Sequence, residues 1–246
     1  MTSAVPGGQP RRSVVLPVHN EGELLDRTVR DLVLAMRKRG ESFEVVIVEN
    51  GSQDLSLQLA KQIAHDMAEV RVISLPHPDY GAAVAAGFAA ARGDVVVNFD
   101  VDYIDFGFLE SAVGIVDSGA AAIVLASKRA KGSSDGRPLL RRCLTAGFTF
   151  AMRLLLQVPV TDAHGMKVLD RAKCTTAARA CRMTGALYDV ELVLRASRSG
   201  LTVAELPAHV LEVRPPRTPL WHRSIESATG LLHLRALLWW EALRRR

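Results

Sequence analysis

The sequence predicts an α/β protein with a mostly parallel central sheet flanked by helices. Two observations carry this. Five short apolar runs rich in Val and Ile recur along the first half: SVVLPV (13–18), FEVVIV (43–48), VRVISL (70–75), DVVVNF (94–99) and AAIVLA (121–126). Between them lie segments whose apolar residues have helical spacing, such as ELLDRTVRDLVLAMRKRG (23–40) and GAAVAAGFAAARG (81–93). Short strands alternating with helices imply βαβ crossovers and therefore parallel neighbours.

Taken in order, the N-terminal MTSAVPGGQPRR (1–12) has no apolar centre and reads as a flexible lead rather than a signal peptide. After the first run, Asn20 and Glu23 have capping-box spacing, and Gly40 suits the end of the helix they would open. Ser52 and Asp54 favour a second helix start, and Gly93 closes the third helical segment. The fourth run ends on Asp100 and Asp102, two carboxylates one residue apart. A basic stretch, SKRAKGSSDGRPLLRR (127–142), then leads into LLRRCLTAGFTFAMRLLLQV (139–158), a long helical pattern whose apolar residues are mostly expected in the core. VTDAHGMKVLDRA (160–172) holds a strand, LYDVELVLRA (187–196) a helix, and ELPAHVLEVRPPRTPLWHR (205–223) a strand followed by a loop. The chain is expected to comprise one domain over 13–220 and an amphipathic helix over 221–246.

With 246 residues, 48% hydrophobic and 23% charged, the chain can bury one substantial core, which excludes a disordered protein. Cys143, Cys174 and Cys181 show no C-x-x-C spacing, so neither a disulfide framework nor a zinc site is expected, and a reducing cytoplasm fits. No apolar run reaches the roughly 18 residues of a membrane span; contact with the inner membrane face would be peripheral. The net charge of +5 is concentrated in the 127–142 stretch, which suits a solvated loop, phosphates or anionic lipid; no nucleic-acid partner is expected. Neither G-x-G-x-x-G after the first strand nor a P-loop is present, which disfavours dinucleotide oxidoreductases and P-loop phosphotransferases.

Ligands of such sheets bind at the carboxyl ends of the strands. There the sequence carries PVHNEGE, VENGSQD and DVD. Each alone is compatible with helix capping, but three acidic strand ends together repel one another unless a cation or donor groups lie between them. In order and spacing, VVLPVHNEGELL (14–25), VVIVENGSQDLS (45–56), GAAVAAGFAAARGDVVVNFDVD (81–102) and LYDVELVLRASRSGLTVAELP (187–207) resemble a family-2 glycosyltransferase of the GT-A fold over most of residues 13–214. The similarity is strongest to the branch of polyprenyl-phosphate sugar transferases that includes dolichyl-phosphate mannose synthase. The resemblance implies a Rossmann-like sheet, a nucleotide-sugar donor, a divalent Mg2+ or Mn2+ ion and inversion at the anomeric carbon.

Carried over residue by residue, the resemblance makes Asp100 and Asp102 metal ligands that hold the donor diphosphate. Hard cations suit carboxylate and phosphate oxygens. Pro17 and Glu21 match the first donor-contacting segment. Glu49 and Asp54 match the acidic pattern DDGSxD, with Glu49 and Asn50 in place of the two commoner aspartates; Glu49 would accept hydrogen bonds from base or ribose. YGAAVAAG lacks the family's frequent basic residue, and Ile104 stands where a polar metal-supporting residue is common, leaving Asp105 or water to complete the shell. Arg129, Arg137 and Arg142 match a basic acceptor loop and Asp162 a site-orienting position. Lys167 reads as a solvated strand residue, and His164 as a loop hydrogen-bonding residue. Asp189 would be the general base only for a hydroxyl acceptor, because a lipid phosphate is already anionic; otherwise it is a helix-start carboxylate, with Glu191 in a structural ion pair. Arg214 and Arg217 resemble loop cations that approach the diphosphate, and His222 is an exposed histidine or a metal supplement. The final helix, with Trp239 and Trp240, suits packing on the core, a homo-oligomer contact or a bilayer interface equally. The expected function is sugar transfer to a polyprenyl phosphate or a small hydroxyl acceptor. The alternative is a nucleotide-sugar-binding regulatory protein without turnover.

Overall fold

Val and Ile side chains fit a pleated surface covered on both faces. Accordingly Arg12–Val18 (β1), Phe43–Asn50 (β2), Val70–Leu75 (β3) and Val95–Asn98 (β4) form strands where the apolar runs lie, joined by helices α1 (Leu25–Lys38), α2 (Ser56–Asp66) and α3 (Tyr80–Ala90). The chain continues through α4 (Phe106–Asp117), β5 (Ile123–Ser127), β6 (Ser134–Asp135), α5 (Leu139–Leu156) and β7 (Lys167–Asp170). It ends with α6 (Arg171–Ala180), α7 (Leu187–Arg198), β8 (Val203–Pro207), β9 (His209–Val210) and α8 (Leu220–Arg244). The computed structural model describes residues 8–136, 139–210 and 220–244, apart from the side chains at 134–135, 141, 209–210 and 220–227.

A seven-stranded sheet has the order β3-β2-β1-β4-β7-β5-β8, and β6 pairs with β9 in a separate parallel ribbon. β1 runs parallel to both β2 and β4, and β5 runs parallel to β8. β7 lies antiparallel between β4 and β5, so the mostly parallel sheet is mixed at its centre. The chain order reverses between β1 and β4, the switch point at which an open α/β sheet leaves a crevice.

Alternation along each strand feeds two cores. Val95, Val97 and Phe99 join a cluster covered by α1, α2 and α4. Val96 faces a second cluster built with α3, α5, α6, α7 and α8. In the second layer, Leu231 and Leu234 of α8 are buried, and Glu241 accepts from both terminal nitrogens of Arg195 at 2.8 and 2.9 Å, which clamps α8 to α7. Arg195 also donates to Glu191 at 2.7 Å, so the ion pair read for Glu191 is present.

Two expectations change. Gly40 does end α1, with φ of 73°. Gly93 instead lies where a Cβ would sit 2.6 Å from the Arg12 carbonyl carbon and Ser13 nitrogen, so it serves a close backbone approach rather than a helix end. In α5, Thr149, Met152 and Leu156 are buried, but Leu139, Leu140, Leu144, Phe150 and Leu154 are exposed, so core packing accounts for only one of its apolar faces.

Close packing of α3 on the sheet depends on Gly87, where a Cβ would overlap Val15 Cγ1 and approach Val48 Cγ2 at 3.1 Å. Gly87→Ala should cost about 1–3 kcal/mol by overpacking. Gly114, on the exposed side of α4 with open space around it, should gain roughly 0.4–1 kcal/mol as Gly114→Ala. Urea unfolding of the two variants should move in opposite directions.

Candidate active site

Polar residues after β1 and β2 bind each other beside the switch point, which lies between β1 and β4. Asn20 takes φ of 55°, a conformation Asn tolerates. Its amide N–H donates to Ser52 Oγ at 3.0 Å, and its side-chain oxygen accepts from the Gln53 N–H at 2.8 Å. The N–H groups of Glu21 and Gly22 donate to Ser56 Oγ at 2.9 Å and Asp54 Oδ2 at 3.0 Å. Asn20 therefore ties two loops together rather than capping α1, and Asp54 braces them while its Oδ1 accepts from the Ser56 N–H at 2.9 Å. Glu49 is buried, and its oxygens accept from the Ser52 N–H at 2.5 Å and the Ser74 hydroxyl at 2.7 Å. Burial opposes its ionisation, but these bonds prevail and hold the carboxyl below its ordinary value. Asn50, its neighbour, lines the cleft instead, and its side-chain oxygen accepts from the Asp79 N–H at 2.8 Å, fixing the start of α3.

These loops frame a cleft of about 410 Å³ at the carboxyl ends of β1 and β4. Pro17, Glu21, Asp100 and Asp102 line it together, as do His19 and Tyr80, which sequence reasoning did not single out. The chain turns tightly at the D-x-D: the Tyr103 N–H donates to the Asp100 carbonyl at 3.1 Å, and Thr28 donates to the Val101 carbonyl at 3.1 Å. This leaves Asp102 exposed and Asp100 partly buried. Burial raises the Asp100 carboxyl above its ordinary value; Lys167 pulls it down, while Asp102 and Asp189 push it further up. Asp105 caps α4 by accepting from the Phe108 N–H at 3.0 Å. No group of three His, Cys, Asp or Glu side chains among the described residues could hold a metal. Two adjacent carboxylates, one of them disfavoured by burial and like charge, still fit a hard divalent cation that takes its remaining ligands from phosphate and water.

Beneath the cleft lies a polar cluster in the second layer. Lys167, in the central strand β7, pairs in register with Asn98 of β4, and both are buried. Its Nζ donates to Asp189 Oδ2 at 2.9 Å, and neither residue is exposed. Lys167 is therefore not a solvated strand residue: its strand has neighbours on both sides and helices on both faces. The Tyr80 hydroxyl, kept protonated by burial, donates to the same Asp189 oxygen at 3.3 Å and accepts from Asn98 Nδ2 at 3.4 Å. An internal cation thus holds Asp189 away from solvent.

At the adjoining edge, Asp162 is buried near Lys128, whose Nζ lies 3.8 Å from Oδ2; Asp162 Oδ1 accepts from the His164 N–H at 3.1 Å. Burial lowers the His164 pKa against the opposing pull of Asp162. Glu205 fixes this loop by accepting from the Thr161 hydroxyl at 2.6 Å and from the Thr161 and Asp162 N–H groups at 2.9 and 3.0 Å. Arg129 and Arg142 are exposed. Arg137, Arg214 and Arg217 lie outside the described residues, as does the side chain of His222.

The Glycosyl transferase family 2 profile matches residues 13–174. Glycosyltransferase AglD of Haloferax volcanii is 30% identical over 203 residues, 79% of this chain and 32% of that protein. The chain therefore spans about a third of the archaeal protein's length. Dolichyl-phosphate beta-glucosyltransferase ALG5A of Trichomonas vaginalis is 27% identical over 234 residues, 90% of this chain and 72% of that one. Among solved structures, glucosyl-3-phosphoglycerate synthase from Mycobacterium tuberculosis, in complex with Mn2+, uridine diphosphate and glucosyl-3-phosphoglycerate, superposes with a TM-score of 0.67 at 24% identity. That match covers 95% of this chain and 86% of that one.

Removing one partner of a fully buried ion pair strands the other charge. Lys167→Met and Asp189→Asn should each cost about 3–5 kcal/mol, and the double variant much less than the sum. Additive losses in urea unfolding would show that the two groups do not depend on each other.

Proposed function

This chain belongs to glycosyl transferase family 2, and on that premise we propose that it transfers a sugar from a nucleotide-sugar donor to the phosphate of a polyprenyl phosphate, with inversion and with the help of Mg2+ or Mn2+. The observation that carries this reading is the meeting of Asp100 and Asp102 with Pro17, Glu21 and Tyr80 around one cleft at the switch point. A divalent ion held by Asp100 and Asp102 would supply Lewis-acid stabilisation of the departing diphosphate. The mycobacterial structure bound to Mn2+ and uridine diphosphate supports the same choice of donor and metal.

Chain residues divide the remaining work. Pro17, Glu21 and Asn50 wall the donor side, and Arg214 and Arg217 remain proposed diphosphate contacts. Asp54 and Glu49 act through the loops they brace. Arg129, Arg137 and Arg142, with Asp162 orienting the adjacent loop, are proposed to attract the acceptor phosphate. The phosphate oxygen forms its bond to the anomeric carbon as the carbon–oxygen bond to the diphosphate breaks. The bonding pair leaves on the nucleoside diphosphate, and attack from the opposite face inverts the centre. A phosphate needs no proton removed, whereas a hydroxyl does. Asp189, the candidate base, is bound to Lys167 and unexposed, which favours the phosphate. The dolichyl-phosphate relative points the same way.

The purified chain should be assayed with a panel of nucleotide sugars, Mn2+ or Mg2+, and either polyprenyl phosphate or the corresponding alcohol. Transfer should go to the phosphate and not the alcohol, and should stop on chelation. Asp102→Asn should lower kcat/KM on the order of 10²–10³-fold by weakening stabilisation of the leaving charge. Transfer that survives both chelation and Asp102→Asn would reject the role assigned to the carboxylate pair. Donor binding without turnover across the acceptor panel would favour the regulatory alternative.

A further inference from the structure

Along α5, Leu140, Leu144, Gly147, Phe150 and Leu154 recur every three or four residues and are all exposed, Phe150 by 69% and Leu154 by 67%. Such spacing places them on one stripe, while Thr149, Met152 and Leu156 face inward. Helix α8 repeats the arrangement: Leu231 and Leu234 are buried, whereas Leu232, Trp239 and Leu243, at helical spacing, are 60%, 62% and 49% exposed, with Trp240 beside them at 55%. The inward faces of both helices join the same core cluster, and the Arg235 guanidinium donates to the Leu155 carbonyl between them. Their apolar stripes therefore face outward from one layer. Single exposed leucines are ordinary, but two adjacent stripes of leucine, phenylalanine and tryptophan are not.

Charge selects the occupant. Residues 136–161 contain no Asp or Glu, and among the described residues Arg142 and Arg153 of α5 and Arg235 and Arg244 of α8 are exposed. On α8, Glu241 engages Arg195 of α7, while the Arg244 guanidinium lies 4.5 Å from the centre of the exposed Trp240 ring. No described helix is long and apolar enough to cross a membrane, whereas helices with an apolar stripe, arginines and tryptophans lie along an interface. A second copy would set one basic surface against another.

We propose that the outer face of α5 and α8 docks on an anionic lipid bilayer. Because β5 runs parallel to β4, the chain leaves β5 toward α5 on the same edge of the sheet as Asp100 and Asp102. The inference rests on this surface and not on the acceptor assigned above, and the test contains neither donor nor acceptor.

The full 246-residue chain should be mixed with vesicles of phosphatidylcholine alone or with phosphatidylglycerol and sedimented. It should sediment with the anionic vesicles, less so as salt rises, and brominated lipid should quench its tryptophan emission. Phe150→Glu combined with Trp239→Glu should weaken vesicle partitioning roughly tenfold or more, while Leu34→Glu with Leu55→Glu, exposed on other helices or loops, should leave it unchanged. Absence of sedimentation, sedimentation without quenching, or equal loss in both double variants would overturn the proposal. So would a dimer that Phe150→Glu dissociates in a chain that ignores vesicles, which would give the face to a second copy. If the Phe150/Trp239 variant fails to fold, sedimentation and quenching of the parent chain decide.

Discussion

The buried pair of Lys167 and Asp189 is the interaction on which the site depends. Desolvating two opposite charges costs several kcal/mol per ion, so such a pair persists only with good geometry and further hydrogen bonds. Here the Nζ–Oδ2 distance is 2.9 Å, and the Tyr80 hydroxyl adds a second donor to the same oxygen. The pair joins the central strand β7 to α7 and links both to the first residue of α3. It also sets a fixed cation close enough to Asp100 to oppose the effects of burial and of Asp102 on that carboxyl. Without an internal positive charge, three carboxylates could not converge at one sheet edge at low cost.

Around that fixed point the acidic strand ends take different duties. Glu49 and Asp54 spend their oxygens on backbone N–H and hydroxyl donors and hold the loops. Asp79 and Asp105 hold the starts of α3 and α4. Asp100 and Asp102 remain at the cleft with Glu21. The crevice is therefore framed by side chains with settled partners, a form of preorganisation suited to charge that develops during a reaction.

The strand–helix alternation was legible because valine- and isoleucine-rich runs change period sharply at polar loops, and the D-x-D was legible because no ordinary buried strand ends on two carboxylates. What sequence reasoning missed depends on partners distant in the chain. Lys167 in KVLD looks like the solvent side of an alternating strand until β7 is known to lie between β4 and β5. Glu49 looks available until Ser74, on β3, is found bonded to it. Gly93 resembles a helix stop, but its small size answers to the backbone of Arg12 and Ser13. The pattern of α5 contains apolar residues on two faces, and periodicity alone does not say which of them meets the core. Of the residues singled out by resemblance to family 2, Pro17, Glu21, Asp100 and Asp102 line the cleft because they are local to strand ends, whereas Glu49 and Asp54 brace the loops beside it.

The central claim is that Asp100 and Asp102 hold the metal–diphosphate while Asp189 stays bound to Lys167. A crystal grown with Mn2+ and a nucleoside diphosphate, measured at the manganese absorption edge, tests it most directly. The account predicts an anomalous peak bonded to an Asp102 oxygen and to the diphosphate, with the Lys167–Asp189 contact intact beneath it. A peak away from both aspartates, or an Asp189 carboxylate released from Lys167 and turned into the cleft, would contradict it.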